Sequence, residues 1–241
     1  METENPGVWE NDKKNTLWRK MKEALSRQPS PPLKVPQIVG LCPGIPVGGA
    51  LIRSAIFSTD LAIIENTDCQ AIFAVYPFSP SERIIRGLVN TSGKPVFCGI
   101  GGGLTRGKKS MYMAEIAEQA GAKALIVNQP FPGKVIRKIF ESRSLPVIST
   151  VADLDYDISA RIRSGVAIIH VAAGLSTPAL IEKIKRTEPA IPVMATGGKN
   201  IEHLTDAVNA GADAIVLTPP TTGELFRNIM MRYRMGMGYK K

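Results

Sequence analysis

Only two histidines occur in this chain of 241 residues, and one of them, His170, closes the otherwise apolar run Ala167-Ile168-Ile169-His170. An imidazole at the end of such a run titrates near neutrality and suits general acid–base work. A histidine hydrogen-bonded in the upper core is the structural alternative. Asp153 and Asp155 follow the short run Val147-Ile148-Ser149; Asp153 is read as a second proton-transfer group, and Asp155 as a helix cap. Asn128 follows Ala124-Leu125-Ile126-Val127 and joins His170 and Asp153 as a group that orients a substrate. Further along, Gly197-Gly198-Lys199 combines two residues that let backbone N–H groups approach an anion with a cation that neutralises it. Thr221-Thr222-Gly223 offers more N–H groups at a helix start, although Pro219 and Pro220 donate none and the acid Glu224 opposes an anion there.

A second anion-directed feature is the stretch from Gly99 to Ser110, which holds Gly99, Gly101, Gly102, Gly103 and Gly107 together with Arg106, Lys108 and Lys109. Gly102 to Lys108 has the spacing GxxxxGK, but Lys109 stands where a phosphate-binding loop of nucleotide hydrolases needs Ser or Thr for its magnesium ion. We therefore read it as a flap whose Lys108 neutralises an anionic substrate, against the alternative of a solvated loop. Cys42, Cys69 and Cys98 have no CxxC spacing, and no His/Cys/Asp cluster has metal-ligand spacing, so no metal is expected. Cys42, after the apolar run 38–41, reads as a small buried hydrophobe rather than a nucleophile. No lysine lies inside an apolar run, which disfavours a Schiff-base aldolase.

The elements that must hold these groups follow a rhythm. Eight apolar runs begin at residues 38, 72, 96, 124, 147, 167, 193 and 214, separated by amphipathic stretches, with Gly or Pro before most runs. Near-continuous apolarity suits strands covered on both faces, and eight alternating units close most naturally into a (β/α)8 TIM barrel of the α/β class. Residues 48–57 are taken as the first helix and 58–69 as an added short one. In such a barrel the chemistry lies in the loops after the strands, so the candidate residues share one mouth. Residues 36–234 make the barrel. Residues 1–35 make an extra N-terminal helix (10–27, with Leu17, Trp18, Met21 and Leu25 on one face) and a proline-rich linker, and 235–241 a basic tail. The extra helix is expected under the barrel or against a second subunit of a homo-oligomer.

The closing units carry a resemblance. PVMATGGKNI at 192–201 followed by AVNAGADAIVLT at 207–218 resembles the last two units of the phosphate-binding (β/α)8 barrels, such as the histidine- and tryptophan-pathway isomerases, thiazole synthase and the N-acetylmannosamine-6-phosphate epimerases. It covers 193–223; the rest of the chain shares only the rhythm. Members usually have Gly-Ser or Gly-Thr after the eighth strand, where this chain has Thr218-Pro219-Pro220. The resemblance implies an anion held by Gly197, Gly198, Lys199, Thr221, Thr222 and Gly223.

Composition narrows the partners. The net charge is +9, but basic residues are dispersed without interleaved aromatics, so an anionic metabolite is expected and nucleic acid is not. No apolar run reaches membrane-spanning length and the first residues lack a signal-peptide pattern, which points to a cytoplasmic protein. Three readings stay open: an isomerase or lyase of metabolism acting on a small, phosphorylated metabolite with no cofactor; an FMN-dependent oxidoreductase of the nitronate-monooxygenase or inosine-dehydrogenase kind, for which Ala172-Ala173-Gly174-Leu175 is the local likeness; and a non-catalytic barrel that binds a ligand or partner.

Overall fold

A computed structural model of the chain describes residues 33–103, 105–198 and 200–236. The N-terminal helix expected at 10–27, the end of the basic tail and Lys199 lie outside the described residues.

The eight barrel strands are β3 (Ser54–Phe57), β4 (Ala71–Ala74), β5 (Val96–Gly101), β6 (Ala124–Asn128), β7 (Val147–Val151), β8 (Val166–Val171), β9 (Val193–Thr196) and β10 (Ala214–Leu217). All neighbours pair in parallel, in sequence order, and β10 closes the ring onto β3 with Ile215 opposite Ser54. This is the (β/α)8 barrel that the spacing of apolar runs predicts.

The helices are α1 (Leu61–Glu65), α2 (Glu82–Thr91), α3 (Lys108–Ala120), α4 (Gly133–Ser142), α5 (Ile158–Arg163), α6 (Thr177–Thr187), α7 (Ile201–Asn209) and α8 (Thr222–Arg234). Strand residues alternate between two cores. One face of each strand packs under the helices through side chains such as Ile72, Leu125, Ile169 and Ile215. The other fills the barrel through Ala55, Phe73, Phe97, Ile126, Ile148, Ile168, Met194 and Val216. This period of two follows from the pleat and fixes which residues face the mouth.

The first unit differs from the sequence reading. The run at 38–41 is not a strand: Gln37–Leu41 forms a 3-10 helix on which only Val39 is buried. Residues 48–57 are not a helix either. Ile45–Val47 (β1) and Ala50–Ile52 (β2) form an antiparallel hairpin, and the first barrel strand follows at Ser54. The turn is Gly48-Gly49, with φ of +59° and +82°, the positive pair that a two-residue hairpin needs. A short apolar run flanked by prolines cannot form a central strand as readily as Ser54–Phe57, which has paired neighbours on both sides. Ile45, Val47 and Ile52 pack in the same cluster as the barrel-filling residues, so the hairpin floors the barrel at the N-terminal ends of its strands. Cys42 belongs to that lower end. Its carbonyl accepts from Arg53 Nε at 2.9 Å, and burial, with Asp213 nearby, pushes its thiol up to about 11. It is no nucleophile at the mouth.

Candidate functional site at the barrel mouth

The barrel-filling phase, extended one step toward the C-terminal ends, selects the mouth. Ile126 leads to Asn128, Ile148 to Thr150, Ile168 to His170, Met194 to Thr196 and Val216 to Thr218. Asn128, Thr150, Thr196 and Thr218 are half-buried, whereas His170 is only 3% exposed.

His170 sits at the centre of a short polar chain spanning three strands. Nδ1 pairs with Thr150 Oγ1 at 3.0 Å and Nε2 with Thr196 Oγ1 at 2.9 Å. Its ring packs on Phe73, centroid to centroid at 4.5 Å. Burial lowers its pKa to about 3, so the imidazole is neutral at physiological pH, accepting from one threonine and donating to the other. The sequence marks His170 as a strand end; its position puts it one layer beneath the opening.

Asn128 reaches the mouth beside Gly102, close enough that a β-carbon on Gly102 would lie 2.8 Å from its Cβ. Asp153 is exposed on the loop after β7, where its carboxylate accepts from the N–H of Asp155 at 2.9 Å. That loop is tied to the one after β6, because Ala152 N–H donates to Gln129 Oε1 at 3.3 Å. Gly197 is buried against Ile215 and Leu204, and its N–H donates to the Val216 carbonyl. Gly198, with φ +65°, borders a separate groove of about 820 Å³ between α7, α8 and residues 33–36. Thr221 caps α8, its hydroxyl accepting from Glu224 N–H at 3.2 Å while Glu224 accepts from Thr221 N–H at 2.6 Å. The Thr222 hydroxyl donates to Asp60. Gly223 is exposed in the first turn, and Lys108 opens α3.

Asn128 thus lines the inner rim with His170 buried beneath it, and Asp153 stands on an adjoining loop. Gly197, Gly198 and residues 221–223 belong to the β9 and β10 side, and Lys108 stands across from them at the end of β5.

The cavity at the rim is small, about 190 Å³, and is lined by Tyr76, Gly99, Gly101–Gly103, Thr105 and Asn128 among others. A register shift between Gly99 and Gly101 carries β5 into the opening; such bulges re-aim chain next to sites. The Tyr76 hydroxyl accepts from Ser81 N–H at 2.7 Å, which leaves its own proton free, and burial raises its pKa, so it stays protonated. Tyr76 and Thr105 were not among the residues singled out in the sequence, because a loop residue gives no periodic signal. Thr150 and Thr196 did have one: they stand two residues beyond barrel-filling positions.

Position 101 admits only glycine in this packing. A β-carbon on Gly101 would come within 2.4 Å of Ser110 Oγ, 2.5 Å of Phe131 Cε2 and 2.8 Å of the Thr105 carbonyl. Gly101→Ala is therefore expected to cost ~1–3 kcal/mol by overpacking. The check is a lower urea midpoint at unchanged slope; an unshifted midpoint would show that the turn has room.

Among the described residues, no group of three or more His, Cys, Asp or Glu side chains could hold a metal ion, and no helix is long and apolar enough to cross a membrane.

No family model matches the chain, and no curated protein matches it. Solved structures do. A phosphoenolpyruvate phosphomutase from Streptomyces platensis subsp. rosaceus superposes with a TM-score of 0.58 at 15% identity, covering 75% of this chain and 80% of that one. A phosphonopyruvate hydrolase in complex with oxalate and Mg2+ gives 0.54 at 15%, covering 77% and 83%. A mandelate oxidase with (S)-2-phenylpropionate gives 0.55 at 12%, covering 73% and 68%. The phosphomutase and hydrolase neighbours lie outside the phosphate-binding group that residues 193–223 resemble. At such identities the likeness is one of architecture, and what it establishes is a (β/α)8 barrel.

Proposed function

We propose that this chain is an isomerase or lyase acting on a small anionic, phosphorylated metabolite held at the barrel mouth. The observation that carries the reading is the rim cavity, lined by the glycine-rich stretch Gly99–Gly103 together with Tyr76, Thr105 and Asn128 at the C-terminal ends of the strands. Its volume of about 190 Å³ suits a metabolite smaller than the ligands of typical pockets, which run to ~300–1,000 Å³. The phosphomutase and phosphonopyruvate hydrolase neighbours support the general kind of substrate.

In this reading Asn128 orients the substrate and the Tyr76 hydroxyl donates to it. Asp153, on the loop tied to Gln129, takes a proton as general base. His170, neutral and held at both nitrogens, reaches the substrate only through Thr150 or Thr196, so it sets those hydroxyls and relays a proton through them. The phosphonopyruvate hydrolase holds Mg2+. Among the described residues of this chain no three His, Cys, Asp or Glu side chains gather to hold an ion, and no step here is routed through a metal.

Inorganic phosphate is expected to raise the melting temperature of the purified chain. At ten times its Kd, linkage adds about 1.4 kcal/mol, or roughly 3–5 °C for a domain of this size. Absence of any shift at saturating phosphate would sink the reading. A flavin-dependent oxidoreductase is the rival, favoured by the 820 Å³ groove beside Gly198 and Thr218 and by the likeness to mandelate oxidase. A flavin absorption spectrum in the purified protein would decide for it.

A further inference from the structure

A helix on the flank of a barrel buries a stripe of its side chains. Among the described residues, seven of the eight α-helices do so. The exception is α8, thirteen residues long, which buries none. Its sequence is not the reason. Leu225, Phe226, Ile229, Met230 and Tyr233 recur at the spacing of an apolar helix face, yet Phe226 is 66% and Tyr233 56% exposed. Beside α8 runs the groove of about 820 Å³, lined on its α7 side by Ile201, itself 56% exposed, and between the helices by Leu217, Pro219 and Pro220.

A cover for this surface is attached to it. Leu33, Lys34 and Pro36, where the described chain begins, form another wall of the groove. Leu33 is fixed there. Its N–H donates to the Asn66 carbonyl at 3.0 Å, its carbonyl accepts from Asp68 N–H at 3.2 Å, and Val35 N–H donates to Asp68 Oδ1 at 2.6 Å. The 32 residues before it therefore leave from the groove wall. The stretch from Leu25 to Leu33 reaches ~26 Å at full extension, more than the ~20 Å length of α8. A tether of this kind gives the segment an effective concentration of ~mM, which a free partner must outcompete. The underside of the barrel is already filled by the hairpin of Ile45–Ile52. Charge agrees as well. α7 exposes Glu202 and Asp206, and α8 exposes Arg227, Arg232 and Arg234. Residues 1–12 hold four acids and no Lys or Arg, and residues 13–27 hold six cations and one acid, so each half has a wall of opposite sign.

We propose that residues 10–27 pack into the groove between α7 and α8 of the same chain, with Leu17, Trp18, Met21 and Leu25 against Ile201 and the apolar face of α8. Docked there, the segment completes the β9 and β10 side of the mouth beside Gly198 and Thr218 and leaves the groove no room for a flavin. The assignment is independent of the reaction proposed above.

Trp9 and Trp18 are the only tryptophans in the chain, so the barrel adds no signal of its own. In the full chain carrying Trp9→Phe, acrylamide is expected to quench Trp18 several-fold less than it quenches free tryptophan, at every protein concentration. Ile201→Glu, added to that variant, puts a carboxylate at a helix start, where on a bare surface it is neutral or stabilising. Beneath a docked segment it is expected to lower the melting temperature and to raise the quenching several-fold. Met21→Glu, which alters no barrel residue, is expected to raise the quenching in the same way. Trp18 as accessible as the free amino acid overturns the proposal. So does protection that fades on dilution, which gives the groove to the segment of a second copy. Protection that survives Ile201→Glu puts the segment elsewhere and overturns it too.

Discussion

Acidifying the solution from pH 6.5 to pH 4.5 is expected to weaken the fold by about 2 kcal/mol through His170 alone. In the unfolded chain the imidazole protonates near its ordinary value of about 6.5. In the folded chain burial holds its pKa down to about 3, between Thr150, Thr196 and the ring of Phe73. The unfolded state therefore binds the proton first. Stability from this group is fully present above about pH 6.5 and is lost as the pH falls toward 3, at about 1.4 kcal/mol per unit. The carboxylates with lowered pKa, among them Asp60 and Glu118, lose their contribution at lower pH, so the interval above pH 4.5 isolates the histidine. Urea unfolding across that interval in wild type and in His170→Gln gives the comparison. Equal slopes would mean that His170 is not held neutral, and the relay assigned to it would go with it.

Phe73→Ala carries the other large effect, an expected loss of ~3–5 kcal/mol. Phe73 is among the largest fully buried side chains, and it fills the barrel between Phe57, at 6.2 Å between centroids, and His170. A domain has only ~5–15 kcal/mol to lose, so the variant is expected to unfold at markedly lower urea. It also couples to the first result. A void beside the imidazole admits water, raises the folded-state pKa and shrinks the acid-dependent slope. A destabilised variant that keeps the wild-type slope would show that Phe73 packs the barrel without setting the histidine's environment.

The later barrel strands were legible because each is an apolar run between turn signals. The runs at 193–196 and 214–217 coincide with β9 and β10, and those at 72, 96, 124, 147 and 167 begin within one residue of β4 to β8. The first unit was not, because Ile38–Leu41 is as apolar as any strand and apolarity alone does not decide pairing. The informative signal lay in Gly48-Gly49 between two short β-branched segments, a hairpin turn rather than a helix start. The site was legible in part. His170 and Asn128 stand out as polar ends of apolar runs, and both face inward. What surrounds His170 depends on the registers of β7, β8 and β9, which place Thr150 and His170 opposite each other and which no single segment encodes. The cap at α8 was half visible, since Glu224 already reads as an acid in the wrong place for an anion.

The hairpin of Ile45–Ile52 has a bearing on traffic. With its aliphatic side chains driven into the lower end, the barrel is a cup rather than a tube. Under the proposed function, reactant and product share a single doorway, the one ringed by Asn128, Thr150, Thr196 and Thr218. On that reading, departure of one guest has to precede arrival of the next.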